Sequence, residues 1–410
     1  MKLPDQEILR LLPSRVREHA WLGASLLILG LSYAAIRMEP ASFPIILTAQ
    51  ILLFLTVIHI VAFGADMLVN AASRIAEKLG LSQLMIGLTV VAFGTSAPEG
   101  AVSLVAGFQG NGDITIANVV GSNIFNLCFI LGTMAFINPK GLPIRAELTR
   151  RDAPILLLAT VMLFLFVGGN PFGESMEGVG FSWLRLLNLR LEAGEGLLLA
   201  LALVAYLIYL YRMRKPDAEA AVAEGAAAPE SSSPAQESSS LLRDCVVFTI
   251  GLAMMVKGCD LLVGHAEPVA DGFRGLGAVW FAKQLNISDY VIGVTIVAAG
   301  TSTPEFIVSI VAAWKGRFDM TVGNLIGSDL FNMLGVVGVA GMVLQQPLAP
   351  PVTVAPAVIG SLLALSALVA LTWMLMWTGG RLSRWEGALL IMIGIGRWTM
   401  DFLTQPGAAP

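Results

Sequence analysis

Two glutamates, Glu99 and Glu305, directly follow prolines in a stretch of sequence that occurs twice. The two copies cover residues 87–132 and 293–338, align without a gap, and are identical at 22 of 46 positions. The identities fall on small, polar and acidic residues rather than on the interchangeable aliphatic residues around them. We interpret the pair as an internal duplication that retained a chemical function.

The composition places these glutamates inside a membrane. The chain of 410 residues is 56% hydrophobic and only 13% charged, whereas soluble domains carry about 25% charged residues. This indicates a polytopic membrane protein. A net charge of -4 and the lack of a basic stripe give no reason to expect nucleic-acid binding. The sequence also offers no pairing of nucleophile and base, so we do not expect an enzyme.

The residues around each glutamate supply oxygen ligands. A carboxylate at bilayer depth costs about 2.5–3.5 kcal/mol, so two of them need cations or protons as partners. Pro98 and Pro304 each remove a backbone donor and free a carbonyl oxygen in the preceding turn. Four hydroxyls stand just before the prolines: Thr95, Ser96, Thr301 and Ser302. The pattern predicts a hard-cation site, and Ca²⁺, which takes roughly six to eight oxygens in flexible geometry, fits it better than Mg²⁺.

A second helix in each copy adds to this cluster. Ser122 and Asn126 lie four residues apart on one helical face, and Ser328 and Asn332 repeat the arrangement. Na⁺ or H⁺ is expected to occupy the same carboxylates when Ca²⁺ leaves. The residues therefore provide a physical basis for ion exchange.

The apolar runs divide the chain into four segments. We predict an N-terminal basic segment with an extra helix (residues 1–43), a first five-helix repeat (44–213), a disordered cytoplasmic linker (214–241) and a second five-helix repeat (242–405). The fold class is thus an all-α polytopic membrane protein of eleven helices, one extra and then five plus five. The linker is rich in Ala, Glu, Ser and Pro, a composition typical of disorder.

The distribution of Lys and Arg predicts the orientation. With the N-terminus in the cytoplasm, most loop cations fall on the inside in both halves. Equivalent helices are five apart, so the two repeats cross the membrane in opposite directions. Secondary transporters use this inverted arrangement and bind substrates at the repeat interface, near the midplane.

The repeated motifs resemble the two alpha-repeats of the cation/calcium exchanger superfamily, in particular prokaryotic sodium/calcium exchangers. The resemblance covers about residues 44–402 and rests on G-T-S-A-P-E, G-T-S-T-P-E and two G-S-[ND]-x-F-N segments. It implies two inverted five-helix halves and midplane sites for Ca²⁺ and Na⁺ that open to each side alternately. It also implies that the segments at residues 44–76 and 245–270 are sliding helices.

The resemblance further implies a set of ion ligands. These are the side chains of Thr95, Ser96, Glu99, Ser122, Asn126, Thr301, Ser302, Glu305, Ser328 and Asn332, with the backbone oxygens of Ala92 and Ala298. Two positions depart from the family pattern. Some prokaryotic members carry Asp where this chain has Asn332, and Asp329 replaces the usual Asn of G-S-N. We predict a supporting or mouth-facing role for Asp329, with an accessory ion site as the alternative.

The sequence predicts an antiporter that exchanges Ca²⁺ for Na⁺. A Ca²⁺/H⁺ exchanger is the alternative, and a cation channel would use the same oxygens without counter-ion dependence. We expect no cofactor, no obligate protein partner, and contact only with lipid and the transported cations. The expected location is a prokaryotic inner membrane, with a cytoplasmic N-terminus.

Three acidic residues outside the site have simpler interpretations. Asp113 and Asp319 stand where the following helices begin and are predicted to cap them. Lys257 precedes Asp260 by three residues, which predicts an ion pair within one helix.

Overall fold

The computed structural model describes most of the chain between residues 23 and 403. The described residues are 23, 25–34, 43–108, 112–168, 190–191, 193–213, 240–263, 265–269, 272–276, 298–343, 352–353 and 356–403. Nearly all of the predicted linker, much of the predicted N-terminal segment and residues 277–297, at the entry to the second repeat unit, lie outside them.

The first half of the chain forms apolar helices with short π-helical turns. In order, these are α1 (Ser25–Ala34), α2 (Phe43–Leu79), α3 (Gln83–Ile86), π1 (Gly87–Val91), α4 (Ala92–Thr95), α5 (Ala97–Phe108), α6 (Gly112–Phe125), π2 (Asn126–Leu131), α7 (Gly132–Ile137), π3 (Leu148–Asp152), α8 (Ala153–Gly168) and α9 (Ala193–Arg212). The prediction that the repeat unit divides into two helices, at about residues 109–112, is confirmed, because α5 ends at Phe108 and α6 begins at Gly112.

The second half follows the same plan. Its helices are α10 (Leu241–Val263), α11 (Ala298–Thr301), α12 (Thr303–Trp314), α13 (Phe318–Leu330), π4 (Phe331–Val336), α14 (Val337–Val343), α15 (Pro356–Trp377) and α16 (Arg384–Leu403). The predicted division of this unit is also confirmed, because α12 ends at Trp314 and α13 begins at Phe318.

Short antiparallel strand pairs join some of the loops. The strands are β1 (Leu142–Pro143), β2 (Arg190–Leu191), β3 (His265–Val269), β4 (Gly272–Leu276), β5 (Val352–Thr353) and β6 (Arg381–Leu382). β1 pairs with β6, β2 with β5, and β3 with β4, where Ala266 lies opposite Gly275. The expected apolar helix at residues 245–270 is therefore too long. α10 ends at Val263, and Pro268, which disfavours a helix interior, lies in β3.

The helices confirm a polytopic membrane protein. Within the described ranges, six helices are long and apolar enough to span a membrane, and a bent pair adds a seventh. α1 and α12 are apolar but shorter than a span. The expected count of eleven stays a prediction, because parts of several expected spans lie outside the described ranges.

The helix that carries each glutamate is interrupted just before its proline. Ser96 separates α4 from α5 with φ -82° and ψ 2°, and Ser302 separates α11 from α12 with φ -89° and ψ 6°. In the first repeat the two parts meet at 42°. Proline usually disfavours helical geometry for the residue before it, and this rule predicts that Ala97 and Thr303 are non-helical. That expectation is wrong, since Ala97 and Thr303 begin α5 and α12. Each proline lies in a first turn, where its missing N–H has no intrahelical acceptor to lose.

The second helix of each repeat contains a π-helical turn at a predicted ligand. π2 begins at Asn126, and π4 includes Asn332. A π turn bonds residue i to residue i+5, which inserts one residue and redirects the side chains, and such turns are frequent at functional sites. Both repeats thus have an irregular helix where an amide ligand is expected.

The chain divides into two compact units that each draw on both halves of the sequence. One comprises Met1–Leu68 and Val247–Gly300, and the other comprises Val69–Val246 and Thr301–Pro410. Within the first unit, a Cβ on Gly251 would lie 2.6 Å from the carbonyl oxygen of Gly64. Glycine at this position lets α2 and α10 pack with their backbones close together. The second unit contains the larger apolar core and every side chain of the site described below.

A charge cluster in the second unit joins the ends of two long helices. Asp244 at the start of α10 is 1% exposed, and it accepts hydrogen bonds from Arg74 Nε at 2.6 Å and from Lys78 Nζ. Both cations lie in the last turns of α2. The buried carboxylate is thus neutralised by two partly exposed cations, which suits a position near the membrane surface.

Candidate ion-binding site

A reciprocal pair of hydrogen bonds joins the two helix breaks. Ser96 Oγ donates to Glu305 Oε1 at 3.2 Å, and Ser302 Oγ donates to Glu99 Oε1 at 3.1 Å. The serines are equivalent in the two repeats, as are the glutamates, so the bonds are related by the internal pseudo-symmetry. None of the four residues is more than 4% exposed. The serine at each break therefore holds the glutamate of the other repeat.

Each glutamate keeps one oxygen without a hydrogen bond. Oε2 of Glu99 and Oε2 of Glu305 are buried, and no donor among the described residues reaches them. The two carboxylates are also close enough to repel each other. A buried ionised carboxylate without a partner is strongly destabilising. A cation between the two carboxylates would remove the repulsion, and the free oxygens would serve as its ligands.

Close packing of α13 brings the first repeat's threonine to this site. Thr95 Oγ1 donates to Asn324 Oδ1 at 3.2 Å and lies 3.4 Å from Ser328 Oγ. Gly327 permits this contact, since a Cβ there would lie 2.6 Å from the carbonyl oxygen of Leu88. The hydroxyl is fixed next to the glutamates because two helix backbones meet without an intervening side chain.

The equivalent serines of the second helices differ in their contacts. Ser328 Oγ donates to Glu305 Oε1 at 3.4 Å. Ser122 Oγ instead donates to the carbonyl of Asn118, 2.9 Å away on its own helix. Both serines are fully buried. The structure therefore connects Ser328 directly to a carboxylate, whereas Ser122 presents only its lone pairs to a ligand.

Side-chain amides join the two π-helical regions. Asn126 Nδ2 donates to Asp329 Oδ1 at 2.9 Å, and Asn332 Nδ2 donates to Asn123 Oδ1 at 3.1 Å. These contacts are again pseudo-symmetric, because residues 123 and 329 are equivalent, as are 126 and 332. Asn123 Nδ2 also donates to the backbone oxygen of Asp329 at 3.1 Å. The expected ligands Asn126 and Asn332 are thus held by the polar residue of the opposite repeat.

The structure buries the predicted site residues that it describes. Those at most 9% exposed are Ala92, Thr95, Ser96, Glu99, Ser122, Asn126, Thr301, Ser302, Glu305, Ser328 and Asn332. Ala298 begins α11, and its side chain lies outside the described set. The carbonyl of Ala92 accepts from Ser96 N at 3.0 Å and from Thr95 Oγ1 at 3.4 Å. Ligation of an ion by these residues stays a prediction.

Sequence reasoning did not assign roles to two asparagines of the site. Asn118 Nδ2 donates to the backbone oxygen of Glu99 at 3.3 Å and to Ser103 Oγ at 3.0 Å. Asn324, its equivalent, accepts from Thr95. Both copies of the repeat carry asparagine at this position, and that match was the feature of the sequence that could have indicated a role in the site.

The donor set suits a hard cation. It consists of carboxylate, hydroxyl and amide oxygens, the ligands that Ca²⁺ and Na⁺ prefer over thiolate or imidazole. In the described part of the chain, no three side chains of His, Cys, Asp or Glu converge on one metal position. The site therefore depends on paired carboxylates with neutral oxygens around them.

Two predictions outside the site have clear outcomes. Lys257 and Asp260 form the expected ion pair, at 3.7 Å. The prediction that Asp319 caps α13 is wrong, because Arg317 occupies the cap position. Asp319 lies in the first turn and pairs with Arg145 Nε at 2.9 Å, where the positive helix terminus also favours an acid. The side chain of Asp113 lies outside the described set.

Comparison with known proteins gives concordant matches. A sequence model of the protein family described as "Sodium/calcium exchanger protein" matches residues 49–212 and 244–394. The sodium/calcium exchanger MaX1 of Methanosarcina acetivorans is 29% identical over 349 residues, which are 84% of this chain and 96% of that protein. The inner membrane protein YrbG of Escherichia coli is 30% identical over 291 residues, 71% of this chain and 79% of that protein.

Solved structures agree with the sequence matches. The sodium-calcium exchanger NCX_Mj, soaked with zero Na⁺ and Ca²⁺, superimposes with a TM-score of 0.64 and 25% sequence identity. The match covers 85% of this chain and 97% of that one. The chain therefore shares its fold with a solved sodium-calcium exchanger.

Proposed function

Because the chain belongs to the sodium/calcium exchanger family, we propose that it moves Ca²⁺ and Na⁺ in opposite directions through the paired-glutamate site. The family consists of transporters, so the chain is an integral membrane transporter and not an enzyme. The observation that carries the proposal is the reciprocal holding of Glu99 and Glu305, each of which keeps one buried oxygen free for a cation.

The two carboxylates match the charge of one Ca²⁺. Ser96 and Ser302 each donate their proton to a glutamate, so the lone pairs of both hydroxyls are directed away from these hydrogen bonds and are available to the same ion. Na⁺ is also a hard cation and competes for these oxygens. A site that holds either Ca²⁺ or Na⁺, and opens to one side at a time, couples their movements.

The family relationship does not favour the proton-coupled alternative. MaX1 and NCX_Mj, two matched proteins whose names state their ions, are sodium/calcium exchangers. A channel would conduct Ca²⁺ without counter-ion dependence, whereas an exchanger needs Na⁺ on the opposite side. We further propose an inner-membrane location with a cytoplasmic N-terminus, which the Lys and Arg distribution supports.

The test is Ca²⁺ uptake into proteoliposomes loaded with Na⁺. The Na⁺ gradient alone should drive uptake, and a pH gradient in Na⁺-free vesicles should not. Glu99→Gln and Glu305→Gln each remove one negative charge from the buried pair. The loss of a charged partner at a buried site should weaken the binding free energy of Ca²⁺ by about 3–5 kcal/mol. We expect Ca²⁺ affinity to fall by roughly 100-fold or more. Glu77→Gln, an exposed position on α2, is the matched control and should retain uptake.

Two results would refute the proposal, one for the binding site and one for the coupling ion. Normal Ca²⁺ flux in either site variant would show that the glutamate does not bind the transported ion. Uptake driven only by the pH gradient would transfer the protein to the proton-coupled class.

A further inference from the structure

With Asp329 ionised, the polar network between the π-helical regions has one consistent hydrogen-bond orientation. A carboxylate and a backbone carbonyl only accept, so Asn126 must direct its NH₂ group at Asp329, and Asn123 must direct its own at the Asp329 backbone. The oxygen of Asn123 then faces Asn332, whose NH₂ group donates to it. Every amide donor group in the network is therefore directed at a neighbour within the network.

This orientation leaves three acceptor oxygens without partners. They are Asn126 Oδ1, Asp329 Oδ2 and Asn332 Oδ1, all buried, and no donor in the described part of the chain reaches them. The three residues are at most 1% exposed. Asp329 receives one hydrogen bond to its carboxylate, and no ion pair with it is found among the described residues. When Asp329 is ionised, this buried carboxylate and the two buried amide oxygens form a group of acceptors with no donor, and a bound cation would supply the missing positive charge.

We propose that Asp329 is a third ion-binding carboxylate, which forms a Na⁺ subsite with the side-chain oxygens of Asn126 and Asn332. The inference rests on the proposed function and extends it, because it assigns one of the exchanged ions to a separate position. It also replaces the prediction of a supporting role for Asp329.

The charge of the subsite favours a monovalent cation. It has one carboxylate and neutral amide oxygens, which balance a single positive charge, whereas Ca²⁺ is better matched by the paired glutamates. Asp329 lies close enough to Glu305 for the two carboxylates to repel each other. Since no three acidic side chains converge on one metal position in the described ranges, we assign the carboxylates to adjacent positions. Cations in both positions would relieve the repulsion.

The position of the acid explains the departure at residue 332. Residues 329 and 332 are three apart, and both contact Asn123, the first through its backbone oxygen and the second through its side-chain amide. An acid at position 329 keeps the negative charge that an acid at 332 would supply. The site then carries three negative charges, which three Na⁺ neutralise and one Ca²⁺ does not.

Asp329→Asn is the discriminating variant. Its side chain has the same shape and can still accept from Asn126, but it removes the charge. We expect Ca²⁺ uptake into Na⁺-loaded vesicles to lose about one unit of Na⁺ cooperativity, because the Hill coefficient is limited by the number of coupled sites. We also expect the apparent Na⁺ affinity to fall roughly 10-fold or more, as for loss of a charged ligand, with a smaller change for Ca²⁺.

Two further variants separate ion binding from structure. The double variant Asp329→Asn with Asn332→Asp moves the carboxylate by one helical turn and should restore the Na⁺ cooperativity. Asp319→Asn removes an acid from the same helix at a position that pairs with Arg145, and it should behave like the wild type. A merely structural role of Asp329 would not be restored by an acid at position 332.

Thermal unfolding in detergent gives a readout that does not depend on transport. A ligand of the folded state raises stability according to its concentration relative to Kd. Wild type should be stabilised by NaCl relative to choline chloride, and Asp329→Asn should lose part of this shift, because one of its Na⁺ positions is removed, while CaCl₂ still stabilises it. KCl should be less effective than NaCl.

The outcomes distinguish this inference from the proposed function. If wild type shows Na⁺-driven uptake but Asp329→Asn keeps its Hill coefficient and Na⁺ stabilisation, the subsite is refuted and exchange at the glutamates stands. Equal stabilisation by KCl would refute the assignment to Na⁺. If Asp329→Asn does not fold, recovery of folding and of Na⁺ stabilisation in the double variant supports the subsite, and failure of both variants refutes it. If wild type shows no Na⁺-driven uptake, the proposed function itself fails.

Discussion

Substitution of Gly327 by alanine should damage the site by separating two helices. The added Cβ would lie 2.6 Å from the carbonyl oxygen of Leu88, 2.7 Å from its Cα and 2.8 Å from Ala92 Cβ. Ordinary contacts begin at 3.4 Å, so the backbones must move apart by about 0.6–0.8 Å. Overpacking of this kind costs about 1–3 kcal/mol, and alanine's greater helix propensity offsets about 0.8–1 kcal/mol of it. We expect a net destabilisation of about 0–2 kcal/mol.

The same displacement should reduce transport. Thr95 Oγ1 is already 3.2 Å from Asn324 Oδ1 and 3.4 Å from Ser328 Oγ, so a shift of this size breaks both contacts. Misplacement of site groups by about 1 Å lowers rates by roughly 100-fold in enzymes, and we expect a loss of about 10- to 100-fold in Ca²⁺ flux. Gly360→Ala is the control, since Gly360 is exposed on α15 and no described atom lies within 4 Å of the added Cβ.

Two measurements test this reasoning. Thermal unfolding of the purified variants in detergent reports the stability, and Ca²⁺ uptake into Na⁺-loaded proteoliposomes reports the flux. A Gly327→Ala protein with wild-type unfolding temperature and wild-type flux would show that α13 does not need this close approach. A stable variant with reduced flux would locate the effect in the site alone.

Two further predictions follow from side-chain contacts. Asp244→Asn leaves the two basic side chains of α2 without their buried counter-ion, so we expect a loss of about 1–3 kcal/mol in thermal or denaturant unfolding, and an unchanged midpoint would contradict it. Ser302→Ala should weaken Ca²⁺ binding more than Ser96→Ala. Ser302 is the one side-chain donor to Glu99 among the described residues, whereas Glu305 accepts from Ser96 and also from Ser328. Equal Ca²⁺ affinities of the two variants would contradict this prediction.

The sequence predicted the membrane-embedded glutamates and the broken helices that carry them. The Thr-Ser-x-Pro-Glu pattern contains both signals, since proline favours a helix start and an isolated intramembrane acid marks a functional position. The general effect of proline on the residue before it pointed to Ala97 and Thr303 as the break, which is not where it lies. The irregular residues are Ser96 and Ser302, because a proline is accommodated in the first turn of a new helix without distorting the residue before it.

The π-helical turns could not be predicted from the local sequence. Residues 126–131 and 331–336 are mainly apolar and would suit an ordinary α-helix, so their wider turns must depend on packing around them. Asp319 illustrates the same limit. Its local position favoured a capping role, but Arg145, which is 174 residues earlier in the chain, provides its partner. Contacts between distant segments decide both cases.

The candidate site is assembled from both repeats, and each half is held in place by the other. Each glutamate is held by the serine of the other repeat, and each π-region amide by the polar residue of the other repeat. A duplication alone would give equal charge on both sides of the pseudo-symmetry axis. Asp329 opposite Asn123 breaks that equality, and it adds a negative charge on one side only. If the pair of glutamates balances one Ca²⁺, as we propose, this unpaired charge would distinguish a load of Na⁺ ions from a load of Ca²⁺.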